Sequence, residues 1–312
     1  MSIQNKQRDL IGYGQTPPSV AWRNNARIAV QFVVNYEEGG ENCVLYGDAH
    51  SESFLSEIVG AAPFVGARHM NMESIYEYGA RAGFWRLHRL FTERKIAVTV
   101  FGVAMALARN PAVVSAMQAA DWEIASHGLR WIDYSFMPAE EERQHIQQAL
   151  ELHTEVTGAP PQGWYIGRTS PNSRRLLLEA GNWLYDADSY ADDLPYWVRA
   201  GERAHLIVPY TLDANDMRFA TAQGFNSGEQ FYTYLKDSFD VLYAEGATQA
   251  KMMSIGLHCR LAGRPGRAAA IARFLDYIQS KDDVWITRRA DIAQHWHEHH
   301  PCHDIGKLHD IN

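Results

Sequence analysis

Glu37 and Glu38 are adjacent carboxylates followed directly by Gly39 and Gly40. That order is a poor way to continue a strand and a good way to put acid/base groups at its end. Other chemistry-bearing residues also follow short apolar runs. His127 comes after Trp122–Ser126, Arg168 after Gly163–Ile166, Asp186 and Asp188 after Trp183–Tyr185, and His258 after Met252–Leu257. Two imidazoles, several carboxylates and a guanidinium supply a base, an acid and oxyanion donors, which is what hydrolysis needs. Each also has a plainer reading: an acidic turn, a turn histidine before Gly128, a hydrogen-bonded core histidine at 258, an Arg168–Asp188 ion pair. Their shared position at strand ends is what groups them.

The elements that must carry them alternate between strand and helix. Ile28–Val34 is apolar and β-branched, as suits a strand buried on both faces. Ile75–Glu93 has helical periodicity, Ile96–Val103 reads as a strand, and Asn110-Pro111 opens a short helix. Pro138–Thr157, Ser173–Ala180, Ser227–Glu245, Gly266–Ser280 and Ala290–His299 read as further helices, with His205–Val208 and Val284–Thr287 as further strands. No glycine-rich phosphate motif follows the first strand, which disfavours a dinucleotide fold. The pattern predicts an α/β fold, a distorted β/α barrel of about seven parallel strands, with all the strand-end residues on one face. We expect one domain over 1–312, with an irregular arm (1–26) and a long insertion (41–72) serving as a lid or an oligomer contact.

Composition narrows the class. A net charge of −8 excludes nucleic acid as an expected partner. Three widely spaced cysteines without a CxxC pair argue against a disulfide framework and fit a reducing cytosol. The polar first residues do not read as a signal peptide. No stretch approaches the roughly 20 apolar residues a membrane span requires.

The order of motifs is an acidic pair, Ser126-His127, Arg168-Thr-Ser-Pro171, Asp186-Ala-Asp188 and Leu257-His258. It resembles the polysaccharide deacetylase family, whose NodB-type domain is a distorted β/α barrel. The resemblance runs from about Ile28 to about Thr287. The stretches VNYEEGGE, GWYIGRTSPNSRRLLLEAG, YDADSYADDLPYW, PYTLDANDMRF and IGLHCRLAGRPGR are similar to one branch of that family, the cofactor-independent allantoinases. Two departures from the deacetylase pattern matter. The family's Asp-Asp pair, a base and a metal ligand, is Glu37-Glu38 here. Its His-x-x-x-His metal motif is His127-Gly-Leu-Arg-Trp131. An indole has no lone pair free for a metal, and a catalytic site needs about three protein ligands. We therefore expect no catalytic metal and no cofactor. The histidine-rich run from His295 to His303 lies beyond the last strand and reads as a surface helix end.

The resemblance implies hydrolysis of the hydantoin ring amide of allantoin, a small ureide, in a homotetramer. It also implies roles: Glu37 as the base, His258 as the acid, and His127 and Arg168 on the oxyanion or the ureide carbonyls. Glu38 and Asp188 would accept ureide N–H groups or orient their neighbours, and Trp131 would stack on the planar ring. Without a metal, general base catalysis contributes about 10²–10⁴ and an oxyanion donor about 10²–10³ more, with orientation supplying much of the rest. The other readings are a metal-dependent N-deacetylase of acetylated sugars, needing a third ligand from elsewhere, and a non-catalytic ureide- or sugar-binding relative.

Overall fold

The computed structural model describes residues 8–310; the first seven residues of the expected arm lie outside it. Strand β1 (Ile28–Tyr36) is buried along its whole length and is the centre of the sheet. On one edge it pairs in parallel with β8 (Lys251–His258). On the other it pairs first with β9 (Val284–Ile286) and then with β2 (Thr99–Gly102). The sheet continues through β3 (Glu123–Ser126), β4 (Gly163–Trp164), β5 (Tyr185–Asp186) and β7 (Arg203–Ile207) to β6 (Tyr196–Ala200) at its far edge. Every pairing is parallel except the β6–β7 hairpin. Among the described residues the expectation of about seven parallel strands thus becomes nine strands, one of them antiparallel. The difference arises because Tyr196–Ala200 folds straight back on β7 instead of serving as a connection.

Among the described residues no ladder joins β7 to β8. The segment that follows β7 meets β8 at an isolated bridge, Asn215 to Gly256, with the Gly256 N–H donating to the Ala214 carbonyl at 3.0 Å.

Strand alternation sorts the side chains into two sets. Ile28, Val30, Phe32, Val34 and Tyr36 face the helical layer and join its core. That layer includes α1 (Met70–Tyr78), α2 (Phe84–Glu93), α7 (Gly228–Glu245) and α8 (Pro265–Gln279). Ala29 and Val33 belong to the interior of the curled sheet with Phe101, Tyr165 and Tyr210. Low in that interior, Arg289 donates to the Gln31 side chain at 2.6 Å and to Ser254 at 3.2 Å. Above it Phe101, Tyr165 and Tyr210 pack ring to ring at 4.8–5.2 Å. Above them the interior ends in polar groups.

One helical expectation differs in an informative way. Ile75–Glu93 is part of a longer helical run that begins at Met70 and is interrupted by a π-helical turn, Gly79–Gly83, between α1 and α2. Such turns often sit beside functional groups. A Cβ on Gly79 would lie 2.2 Å from Oε1 of Glu38, so only glycine lets this helix close over that carboxyl.

The insertion is folded against the rim. A short strap, residues 49–66, closes on itself through a bridge between His50 and Val65. Its tip is pinned at Phe54, whose carbonyl accepts from Tyr76 at 3.3 Å. Glu57 pairs with Arg264 at 3.2 Å and Arg267 at 2.9 Å. Among the described residues no helix is long and apolar enough to cross a membrane.

Candidate active site

Glu37 is the first residue past β1 and continues the inward-facing set of Gln31, Val33 and Asn35. It is 1% exposed. Its Oε1 lies 3.3 Å from Nε2 of His127 and 3.3 Å from Nε2 of His258. Its Oε2 accepts from Nη1 of Arg260 at 2.6 Å. One carboxylate therefore sits between two imidazoles and a guanidinium, and the four groups come from the ends of β1, β3 and β8.

The two imidazoles are held differently. Nδ1 of His127 donates to the Tyr165 carbonyl at 3.1 Å, which turns Nε2 toward Glu37. Nδ1 of His258 donates to Oδ1 of Asp216 at 2.6 Å. The other Asp216 oxygen accepts the backbone N–H groups of His258 and Ala262, each at 2.8 Å. Asp216 is fully buried and opens a short 3-10 turn, Asp216–Ala220, next to the Asn215–Gly256 bridge.

Electrostatics separates the acid from the base. Burial alone would raise the Glu37 pKa, but the positive charge of Arg260, then His258, and the hydrogen bonds from the two imidazoles hold it well below the usual carboxylate range. Burial alone would lower the His258 pKa, but the Glu37 and Asp216 carboxylates outweigh it and push it up to about 9. At neutral pH the pair is a carboxylate and an imidazolium.

Glu38 is placed differently from its neighbour. Its side chain projects to the helical side, under Gly79, with Oε2 accepting the Glu37 N–H at 3.1 Å and Oε1 buried without a hydrogen-bond partner. Burial, with the neighbouring Glu37 charge added and Arg260 only partly offsetting it, pushes its pKa up to about 7.

Asp188 accepts the backbone N–H of Ile166 at 3.0 Å and of Gly167 at 2.7 Å, and so fixes the loop that carries Arg168. Burial and the charge of Asp186 raise its pKa to about 7, against the pull of those N–H groups. It does not pair with Arg168. Asp186 instead binds Arg174 at 2.8 Å and His205 at 3.0 Å, away from Glu37. The Arg168 guanidinium lies 4.6 Å from the centre of the Trp131 ring and 5.5 Å from that of Phe54, with Nη2 lacking a protein partner. Trp131 is 6% exposed and carries Phe54 stacked on it at 5.9 Å, while the Arg260 guanidinium lies 4.9 Å from its ring.

The structure thus brings Glu37, His127 and His258 into contact, with Trp131 and Arg168 packed on each other beside the strap. Glu38 and Asp188 act on backbone groups. Sequence reasoning missed Asp216 and Arg260. Asp216 lies within the long β7–α7 connection and follows no strand. Arg260 lies two residues past His258, at the same parity, and extending the strand alternation by one step would have pointed it inward.

A metal ion is a poor fit for these groups. The second imidazole of the family's metal motif is replaced by Trp131. The Arg260 guanidinium already compensates Glu37 and lies 3.7 Å from Glu38, so a dication there would meet a fixed positive charge. Among the described residues no group of three His, Cys, Asp or Glu is arranged to hold a metal ion. The histidine-rich helix α9 (Arg289–His299) brings the His295 and His299 rings together, at 4.3 Å.

Comparison with known proteins agrees with this architecture. Residues 72–182 match the polysaccharide deacetylase family model. A putative polysaccharide deacetylase of Schizosaccharomyces pombe is 44% identical, with 94% of this chain and 98% of that protein aligned. The chain belongs to the polysaccharide deacetylase family and is a hydrolase of that family. Among solved structures, a probable polysaccharide deacetylase from Pseudomonas aeruginosa PAO1 is 62% identical with a TM-score of 0.93, covering 95% of this chain and 99% of that one. The crystal structure of PuuE allantoinase is 58% identical with a TM-score of 0.94, covering 96% and 99%.

Proposed function

We propose that this chain is an allantoinase, opening the hydantoin ring of allantoin to allantoate with protein side chains alone. The observation that carries the reading is the placement of Glu37 Oε1 at 3.3 Å from both imidazole Nε2 atoms. An allantoinase that is 58% identical over nearly the whole chain supports the choice of substrate.

In this reading water adds to the ring carbonyl and gives its proton to Glu37. His127 Nε2 and the free Nη2 of Arg168 meet the charge on the carbonyl oxygen. The ring C–N bond then breaks, and its nitrogen takes the proton from Nε2 of His258. Glu37 passes its proton across to His258, which restores the carboxylate–imidazolium pair. The new carboxylic acid ionises into solvent. Glu37 is the base and Glu38 is not, because strand alternation points only Glu37 into the interior. Trp131, whose face carries Phe54 at 5.9 Å while the strap is seated, borders the ureide and supports the Arg168 guanidinium. Asp188 serves by orienting the Arg168 loop. The enzyme works in the cytosol as a homotetramer, a compartment that suits its three free thiols.

The deciding experiment is allantoin turnover after exhaustive chelation. We expect full activity without added metal. Activity that is lost and then restored by zinc overturns the metal-free mechanism, and no turnover under any condition overturns the substrate. A metal-dependent deacetylase of acetylated sugars is disfavoured because Arg260 stands against the carboxylates a metal would need.

A further inference from the structure

Arg260 touches two things that have no other direct link. Nη1 donates to Glu37 at 2.6 Å, and Nε donates to the backbone carbonyl of Leu55, at the tip of the strap, at 2.9 Å. The guanidinium is fully buried, 4.2 Å from the centre of the Tyr76 ring and 4.9 Å from that of Trp131. Its Nη2 has no hydrogen-bond partner.

Leu55 is itself unusual. It is 6% exposed and has a φ of 52°, a left-handed conformation that a leucine seldom adopts. Residues held this way mark places where surrounding contacts override local preference. Here those contacts are the Arg260 bond and burial in the helical core cluster. The strap and the carboxylate therefore share one rigid cation. When the strap lifts, the guanidinium loses its Nε acceptor, the Leu55 carbonyl.

We propose that Arg260 is a positioning residue that couples seating of the 49–66 strap to the charge state of Glu37, so that the base is fully armed only when the barrel mouth is covered. Closure would then exclude bulk water and fix the carboxylate in one step. The enzymatic part of this inference rests on the allantoinase reading. The coupling itself does not, because it can be followed without substrate.

The test uses the full chain and two variants, with the pH dependence of kcat/KM on allantoin and amide hydrogen exchange over residues 52–58 as readouts. Arg260→Lys keeps a positive charge near Glu37 but lacks the forked donors. We expect its acid limb to move to higher pH, by less than that of a variant without the charge, kcat to fall about tenfold, and the strap amides to exchange at least tenfold faster. Arg260→Met removes the charge, and its acid limb should move to higher pH by more than one unit. If Arg260→Met does not fold, the lysine variant decides alone. Wild-type exchange in the strap of Arg260→Lys, or faster exchange with the acid limb unmoved, overturns the coupling. Wild-type protein that turns over no allantoin overturns the substrate reading and leaves the exchange result to judge the coupling.

Discussion

Asp216 accepts the Nδ1 proton of His258 at 2.6 Å while its other oxygen holds the backbone N–H of the same residue. One buried carboxylate thus fixes the ring, its tautomer and the strand end that carries it. The imidazole can then face Glu37 through Nε2 in a single orientation.

Substituting Asp216→Asn keeps the shape and removes the charge. The pKa of His258 should fall from about 9, so the alkaline limb of kcat/KM against pH moves toward neutrality. The rate at pH 8 should drop by on the order of 10²-fold. A pH–rate profile of this variant beside the wild type checks it, and an unmoved alkaline limb would mean that His258 is not the acid.

The same residue predicts how stability varies with pH. The folded pKa of His258, about 9, exceeds its ordinary value of 6.5. The folded state therefore binds its proton more tightly than the unfolded chain does. The resulting stabilisation is complete below pH 6.5 and is lost as the pH rises through 9, and its full size is roughly 3 kcal/mol. Urea unfolding of wild type at pH 6 and pH 9.5, compared with His258→Gln at the same two values, should show the variant losing less between them.

Glu38 acts in the same direction at lower pH. Its folded pKa of about 7 lies above the ordinary 4.5, so the folded protein loses stability as the pH climbs from 4.5 through 7. Glu38→Gln removes that titration. Between pH 5 and 8 its stability should fall less than that of the wild type, by on the order of 1–3 kcal/mol, while allantoin turnover persists. Turnover abolished in Glu38→Gln and preserved in Glu37→Gln would reverse the two roles.

Gly79→Ala places a methyl group 2.2 Å from Glu38 Oε1. The π-helical turn must then shift, at a cost of about 1–3 kcal/mol. Thermal unfolding should register a lowered Tm, and Glu38→Ala in the same chain should recover part of it.

Trp131→His recreates the imidazole of the family's metal motif. With Arg260 still in place the site should bind zinc only substoichiometrically, as elemental analysis of the purified variant will show. Stoichiometric zinc would mean that the guanidinium yields to a dication.

Much of this site was readable in the order of residues. The strand-end positions of Glu37, His127 and His258 followed from apolar runs that end in polar residues, and the parallel sheet brought those ends to one face. Separating Glu37 from Glu38 needed one further step along the same alternation. Val30, Phe32, Val34 and Tyr36 share a parity with Glu38, which sends that carboxyl to the helices, whereas Gln31, Val33 and Asn35 share theirs with Glu37. Asp216 was not readable in this way. Its partner is 42 residues away, and a loop has no period to show which way a side chain points. The Arg260–Leu55 bond spans 205 residues and depends on a backbone carbonyl, which no side-chain pattern can signal.

The sheet behaves as a clasp, not a hoop. Its β8 edge meets the segment that follows β7 at the isolated bridge between Asn215 and Gly256, where a Cβ on Gly256 would sit 2.2 Å from the Asn215 amide. Asp216 is the very next residue. Any breathing motion that springs this clasp would drag the carboxylate off His258 and silence the acid while the remaining strands stay zipped. The join that closes the ring would then double as its safety catch.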